Sequence, residues 1–256
     1  MISFKQIIFS LALMLFAQLL LFAQVEDKKA YSVENIPFVR FQYSYHAPAG
    51  DFEARYGNSN EVGGAFGFKT IKNWLFEIEG GYHFTKQVKT QGLLDDVLNK
   101  AGDATDSDGE LVRITYELRG LSFFATAGKI IPLNQKQKNS GLLLQVGAGY
   151  LQHRIKVDWR DGKVYQFSDE RLKGYDRLHT GFATKQFIGY KYFGNNNIVN
   201  FYAGLEFKQA FTKNRRKYNY DTKSYDTGSK FDFLYGIRVG WMIPFRSRES
   251  EEFYIY

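Results

Sequence analysis

Strict alternation of apolar and polar residues is the dominant pattern of this 256-residue chain. In residues 39–46, Val, Phe, Tyr and Tyr take every second position, and Arg, Gln, Ser and His take the others. Successive side chains of a β-strand point to opposite faces, so this segment predicts a strand with one apolar and one polar face. The same period recurs about eight times, which predicts an all-β, antiparallel, up-and-down fold.

The polar faces of these strands carry too much charge for the core of a soluble β-sandwich. Glu77 and Glu79 share one face of the strand that begins at Trp74. Burying unpaired carboxylates in a dry core is costly, whereas a transmembrane β-barrel directs its apolar residues to lipid and its polar residues inward. We therefore predict an integral transmembrane β-barrel of about eight strands in the bacterial outer membrane.

The spacing of the strands supports a barrel. Strands are predicted at roughly residues 38–46, 62–69, 74–84, 112–124, 142–155, 180–192, 199–208 and 231–241. Counted from a periplasmic N-terminus, the first, third, fifth and seventh connections are longer than those between them, as expected for extracellular loops and periplasmic turns. A count of ten strands would require a hairpin within the long loops.

The two ends of the chain differ from the barrel region. Lys5 precedes an almost unbroken apolar run at 7–22, which predicts a cleaved signal peptide over residues 1–23. A retained helical anchor is the alternative, because the run is near the lower limit of a spanning helix, about 17 residues. Residues 24–245 are assigned to the barrel domain and 246–256 to a short charged and aromatic periplasmic tail.

Composition narrows the possible functions. Aromatic residues make up 18% of the chain, which suits lipid-facing strands and interfacial girdles. The chain contains no Cys, so disulfides, thiolate metal sites, a cysteine nucleophile and lipid attachment at a cysteine are excluded. The formal net charge of +7 indicates attraction to phosphate-bearing lipid such as lipopolysaccharide, or to an acidic protein, rather than to nucleic acid.

The predicted interior mixes acids and bases. An eight-stranded barrel is narrow enough to be filled by its own side chains. The predicted lumen charge network consists of Arg40, Glu77, Glu79, Glu117, Arg119, Glu206, Lys208, Asp232 and Arg238, and the alternation also turns Lys69, Arg113, Lys185 and Lys191 inward. We expect a salt-bridged, closed polar interior in which these residues are structural partners. A narrow polar pore is the alternative.

The histidines are the candidate catalytic residues of this chain. His46, His83 and His153 fall on predicted inward faces, and His179 follows Asp176 in a loop. A lipid-hydrolysing site would need a serine and an acid beside one of these histidines, but the chain has no G-x-S-x-G motif. We therefore predict no catalytic residues, no cofactor and no metal site.

An acidic stretch at 103–110 resembles a calcium-binding loop only in part. Asp106, Asp108 and Gly109 fit the spacing of an EF-hand, but Ala104 and Thr115 occupy its first and last ligand positions. We interpret the stretch as a solvated surface loop, with divalent-ion binding between lipopolysaccharides as the alternative.

A second loop combines basic and aromatic residues. Its candidate contacts with lipid or a partner are Lys213, Arg215, Arg216, Lys217, Tyr218 and Tyr220. Such a cluster can bind lipid phosphates or an acidic protein surface. Plain solubility of an exposed loop explains it equally well.

Three segments, 187–190 (FIGY), 200–204 (NFYAG) and 235–241 (YGIRVGW), together with the signal peptide and aromatic C-terminus, resemble the small outer-membrane β-barrel proteins of the Bacteroidota, of the OmpA/OmpX-like eight-stranded type. The charged residues 246–252 depart from the usual pattern, in which the last strand closes the chain. Several small barrels of that phylum are accessory or anchoring parts of envelope machines, including the type IX secretion apparatus.

The resemblance implies a non-enzymatic structural or docking component of an envelope assembly, with a protein partner in the envelope. A narrow, porin-like channel or a transporter of small amphipathic ligands is the first alternative. A lipid-modifying outer-membrane enzyme is the second.

Overall fold

The computed structural model of the chain describes residues 35–106, 108–134, 137–159, 164, 167–194, 199–216 and 218–245. The strands are β1 (Ile36–Gly50), β2 (Ser59–Lys69), β3 (Trp74–Thr85), β4 (Asp103–Thr105), β5 (Leu111–Pro132), β6 (Gly141–Trp159), β7 (His179–Phe193), β8 (Asn200–Asn214) and β9 (Ser229–Pro244), with a short helix α1 (Asp169–Leu172) after β6. The segments predicted as signal peptide and periplasmic tail lie outside the described residues. Within the described ranges, no helix is long and apolar enough to cross a membrane.

Eight of the strands form a closed antiparallel ring. The strands of the ring pair in the order β1, β2, β3, β5, β6, β7, β8, β9, and β9 pairs with β1 to close it. The three-residue β4 stands outside the ring on the edge of β5. The structure therefore confirms the predicted up-and-down barrel of eight strands.

The connections differ in length between the two ends of the barrel. At one end they span residues 51–58, 86–110, 160–178 and 215–228, and at the other 70–73, 133–140 and 194–199. This asymmetry is typical of extracellular loops and periplasmic turns. We refer to the two ends as the outer and the periplasmic end.

The outside of the barrel is an apolar belt. Each ring strand exposes large apolar side chains at alternate positions, such as Phe41, Phe66, Ile78, Phe123, Val146, Ile188, Leu205 and Ile237. Phe66 is 75% exposed and Ile78 is 72% exposed, which is favourable only when the surrounding medium is lipid. Three polar residues within the belt, Thr184, Gln186 and Gln209, hydrogen-bond to one another.

Apolar side chains close the interior at both ends. Near the outer end, buried residues of three connections, including Phe52, Leu94 and Phe167, pack on Leu118 and Phe124. The periplasmic end holds a second cluster, which contains Ile36, Phe38, Leu75, Ile130, Leu143, Phe187, Phe193, Tyr202 and Met242. Charged side chains fill the space between the two clusters. This arrangement matches the closed polar interior predicted from the sequence.

The predicted orientation of Glu117 and Arg119 was wrong. Phe124 lies opposite the inward-facing Glu79, so the even-numbered residues of β5 face inward and these two face outward. Arg119 donates to Glu117 and, at 3.1 Å, to the hydroxyl of Tyr82.

The error has a physical cause. β5 and β6 continue beyond the ring, where their inner faces pack against the outer loop cluster and their outer faces meet water. Ile114 and Leu118 are therefore buried. On the opposite side Arg113 and Thr115 are exposed, Arg119 is half-buried, and Glu117 is buried beside Arg119. A polar face indicates the lumen only where the opposite face contacts lipid.

Candidate functional site

The charged side chains that fill the barrel between the two apolar clusters are called the buried ionic layer below. Small residues on the strands leave room for these long side chains. Gly189 and Gly204 lie directly opposite each other on β7 and β8. A Cβ atom on Gly204 would lie 2.4 Å from the Cα of Gly189 and 2.7 Å from Cζ of Phe187. The Phe187 ring therefore occupies the space above the glycine pair, and the guanidinium carbon of Arg238 lies 4.3 Å from the centre of that ring.

Two arginines form the centre of the layer. Nη2 of Arg40 lies 3.0 Å from Glu77 and 2.5 Å from Glu79. Nη1 of Arg238 lies 3.2 Å from Glu79 and 3.0 Å from Glu206. Four strands of the ring supply these five residues, because β1, β3, β8 and β9 each direct alternate side chains inward.

Three lysines extend the layer. Lys185 forms ion pairs with Glu79 and, at 3.1 Å, with Glu206. Lys208 lies 3.0 Å from Glu206 and also pairs with Glu61. Lys191 lies 3.8 Å from a carboxylate oxygen of Glu77 and 4.2 Å from the centre of the Phe38 ring. Each of these buried ammonium groups has a carboxylate beside it, as burial of a charge requires.

Seven members of the predicted lumen network lie buried inside the barrel: Arg40, Glu77, Glu79, Glu206, Lys208, Asp232 and Arg238. Asp232 belongs to a separate cluster near the outer end, where it contacts Arg55 and accepts hydrogen bonds from Thr212 at 2.5 Å and from the His153 ring at 3.0 Å.

The sequence prediction missed Glu61, which is 1% exposed. The predicted strand began at residue 62, but β2 begins at Ser59. Extending the alternation of Gly63 and Ala65 by one step would have placed Glu61 inside.

The histidines are buried but are not arranged as a hydrolytic triad. His153 lies between Asp232 and the hydroxyl of Tyr56, which is 3.4 Å from its Nδ1. Nδ1 of His179 is 2.7 Å from the carbonyl oxygen of Arg177, and Asp176 does not orient this ring. Among the described residues, no serine hydroxyl is hydrogen-bonded to a histidine.

The loop that contains Lys213, Arg215, Arg216, Lys217, Tyr218 and Tyr220, called the basic-aromatic loop, is hydrogen-bonded to the connection between β6 and β7 and to the start of β7. Arg216 donates two hydrogen bonds to Asp176, at 2.7 and 2.5 Å, and these bonds raise the pKa of its guanidinium. Arg215 donates to the hydroxyl of Thr180 at 2.5 Å, and the backbone N–H of Tyr220 donates to the carbonyl of Gly174. Lys213 is exposed and Tyr218 half-buried, whereas Lys217 lies outside the described residues.

Hydrogen bonds also fasten the acidic connection at 86–110. Tyr175 donates its phenolic proton to Asp96 at 2.7 Å, and burial together with this carboxylate raises the pKa of Tyr175 to about 12. Asp106 accepts hydrogen bonds from the backbone N–H groups of Asp108 and Glu110 at 2.9 and 2.8 Å. That carboxylate stabilises a local turn.

No protein-family model matches the chain, and no curated protein matches it. Among solved structures, it is similar to Ail of Yersinia pestis, solved in complex with the heparin analogue sucrose octasulfate, with 11% identity, a TM-score of 0.37 and coverage of 81% of this chain and 99% of Ail.

Two Pseudomonas aeruginosa proteins are similar to the same degree. The N-terminal β-barrel domain of OprF is 12% identical (TM-score 0.34; 82% of this chain, 100% of that chain), and OprG is 12% identical (TM-score 0.35; 86% and 100%). The closed ring, exposed apolar belt and buried ionic layer described above define an integral outer-membrane β-barrel protein.

Proposed function

We propose that the protein is a non-enzymatic structural and docking component of an envelope assembly, and that its partner binds the free edge of β6 above the ring. The observation that carries this proposal is that this edge pairs with no strand among the described residues. The resemblance to small Bacteroidota barrels supports the same role, including an accessory role in secretion.

Within the described residues, the outer part of β6 pairs with another strand on one side only. Its pairing with β7 ends at His153 opposite His179, whereas its pairing with β5 continues to Trp159. On the open side, the backbone N–H of Ile155 donates to the carbonyl of Asp176 at 2.8 Å. Because alternate residues direct their backbone groups to the same side, those of Val157 and Trp159 also face this edge. Such an edge can pair with an added strand.

The chemistry beside the edge indicates the kind of partner. The edge lines a cleft of about 520 Å³ that also includes Leu172 and Lys173 of the β6–β7 connection. Lys156 is paired with Asp158 at 3.1 Å, but Arg154 and Lys173 form no ion pair with any described residue. We therefore expect an extended segment of another envelope protein that carries acidic side chains.

The basic-aromatic loop is the weaker docking candidate. Its residues Arg215 and Arg216 already bind Thr180 and Asp176. An incoming partner would have to break these bonds, whereas Val157 and Trp159 at the β6 edge have no backbone hydrogen bond to a described residue on that side.

A cross-linking experiment tests the docking site. A photo-reactive residue at Lys156, at Lys213 or at the lipid-facing Ile188 is activated in intact cells. We expect one protein to be captured from position 156 only. Arg154→Glu with Lys173→Glu should reduce its yield by at least about tenfold, the effect of losing roughly 1.4 kcal/mol of affinity. The matched double variant Lys213→Glu with Lys223→Glu should leave the yield unchanged.

Two results would contradict the assignment. Capture from position 213 but not from 156 would move the docking site to the basic-aromatic loop. Cross-links to lipid alone at all three positions would show that the barrel has no protein partner under the conditions used.

Conductance distinguishes docking from the alternative of a narrow pore. Because an ionic layer and two apolar clusters fill the interior, the purified protein should pass no steady ion current in planar lipid bilayers. A general porin inserted under the same conditions serves as the positive control. Reproducible single-channel steps that depend on the identity of residue 238 would favour the pore.

A further inference from the structure

His46, Glu61 and His83 form a cluster in the outer half of the lumen. Glu61 lies directly opposite His83 on β3, and His46 of β1 lies opposite Ser59, two residues before Glu61 on β2. All three side chains face inward, and each residue is at most 1% exposed. One nitrogen or carboxylate oxygen from each residue can be chosen such that all three atoms lie within 4.8 Å of one another.

The distances within the cluster are close to those around a bound metal ion. Nε2 of His83 lies 3.4 Å from Oε1 of Glu61, and Nε2 of His46 lies 3.8 Å from Oε2 of Glu61. Oε1 of Glu206 lies 2.9 Å from the same His46 nitrogen. Two ligands bound tetrahedrally to one zinc ion are separated by about 3.4 Å. Small side-chain movements would therefore bring the ligand atoms of His46, Glu61 and His83 to a common centre.

Unpartnered polar atoms surround the same point. Within the described part of the chain, neither ring nitrogen of His83 has a hydrogen-bond partner, and Nδ1 of His46 has none. The hydroxyls of Ser44 and Ser59, which lie opposite Glu61 and His46, are also unpartnered and fully buried. Buried polar groups are normally paired, so several unpaired groups together indicate a polar ligand.

We propose that this cluster binds a first-row divalent transition-metal ion of the Zn²⁺ class. His46 and His83 would supply Nε2 atoms and Glu61 a carboxylate oxygen, and a water molecule would take the fourth position. Imidazole nitrogens combined with carboxylates suit such metals better than Ca²⁺ or Mg²⁺. The ion would connect β1, β2 and β3, and so would stabilise the closed ring.

Lys208 competes with the metal for the carboxylate of Glu61. Its Nζ lies 2.5 Å from Glu61 and 3.0 Å from Glu206. A metal ion at the cluster would repel this ammonium, so the lysine side chain must move away when the ion binds. Removing the charge with Lys208→Met should therefore raise metal affinity, whereas removing a ligand lowers it.

The alternative is a cluster of ion pairs without metal. His46 lies within 3.8 Å of Glu61 and 2.9 Å of Glu206, and Lys208 supplies a positive charge beside both carboxylates. This arrangement leaves both His83 nitrogens without a hydrogen bond, although Nε2 lies 3.4 Å from Glu61. If the cluster binds no metal, Lys208→Met is not expected to change the affinity of the protein for metal.

Metal titration of the full-length protein, refolded without metal in detergent, tests the proposal. We expect one equivalent of Zn²⁺ to bind, Co²⁺ to give the visible absorption of a tetrahedral site, and the midpoint of urea unfolding to rise. His83→Leu should lower the affinity by at least about 100-fold, and Lys208→Met should raise it. His179→Leu, which removes a buried histidine outside the cluster, should leave the affinity unchanged.

Folding of each variant is checked by gel electrophoresis of an unheated sample, in which a folded barrel migrates as a more compact species than the unfolded chain. If His83→Leu does not fold, His83→Gln, which keeps a polar side chain, replaces it in the comparison. Zn²⁺ binding well below one equivalent would overturn the proposal, as would equal binding by the wild type and the folded His83 variant. An unchanged affinity in Lys208→Met would show that the metal binds elsewhere.

Discussion

Arg238→Met is expected to lower the free energy of unfolding of the barrel by about 3–5 kcal/mol, the usual cost of removing one partner from a buried ionic network. Arg238 is fully buried and lies between Glu79 and Glu206. It also donates to Gln145 at 3.1 Å. Methionine restores much of the lost volume but leaves the carboxylates with less compensating charge. Urea unfolding in phospholipid vesicles, followed by tryptophan fluorescence, measures the change.

Two further variants make this result specific. Arg238→Met combined with Glu206→Gln should cost less than the sum of the single changes, because the second change removes one of the carboxylates left underpaired. Lys156→Met breaks an exposed ion pair, with Asp158, in which both side chains are 46% exposed, and should cost less than about 1 kcal/mol. If Arg238→Met costs no more than Lys156→Met, the interior is solvated and the closed-barrel description fails.

Ile188→Arg is expected to lower the free energy of unfolding by about 2–4 kcal/mol, the cost of a cation near the middle of the bilayer. Ile188 faces outward beside Leu144 and Leu205, its neighbours on β6 and β8. An arginine at this position would place its charge in hydrocarbon. The same vesicle unfolding assay gives the size of the effect.

Leu111→Arg is the matched control for the belt. Leu111 is 65% exposed at the outer end of β5, beyond the ring, so an arginine there should change stability by no more than about 0.5 kcal/mol. Equal costs at both positions would mean that the face around Ile188 does not meet lipid.

Most of the barrel could be predicted because alternation is a local property. In β1, the side chains of Arg40 and Gln42 face inward while Phe41 and Tyr43 face outward, as the pattern indicates. The same reasoning located Glu77, Glu79 and Arg238. It failed for Glu117 and Arg119, because their strand leaves the membrane and its outer face then meets water instead of lipid.

The sequence alone could not show which residues come together to form each site. Glu61 was missed because a strand boundary was placed three residues late, and its importance comes from His46, His83 and Lys208, which other strands supply. Because the candidate metal ligands lie on different strands, no spacing of ligand residues within a single segment could have revealed the cluster. The open edge of β6 could not be predicted from the sequence either, because it depends on the residue at which β7 begins.

The sequence by itself determined the strands, the lipid-facing belt and the presence of inward charges, because a two-residue period records the side to which each residue points. Only the tertiary structure decided which charges meet. Arg40 and Arg238 share Glu79 although they lie 39 and 159 residues from it in the chain. Closure of the ring and the register of its strands bring these groups within hydrogen-bond distance, and neither property is encoded in a local pattern.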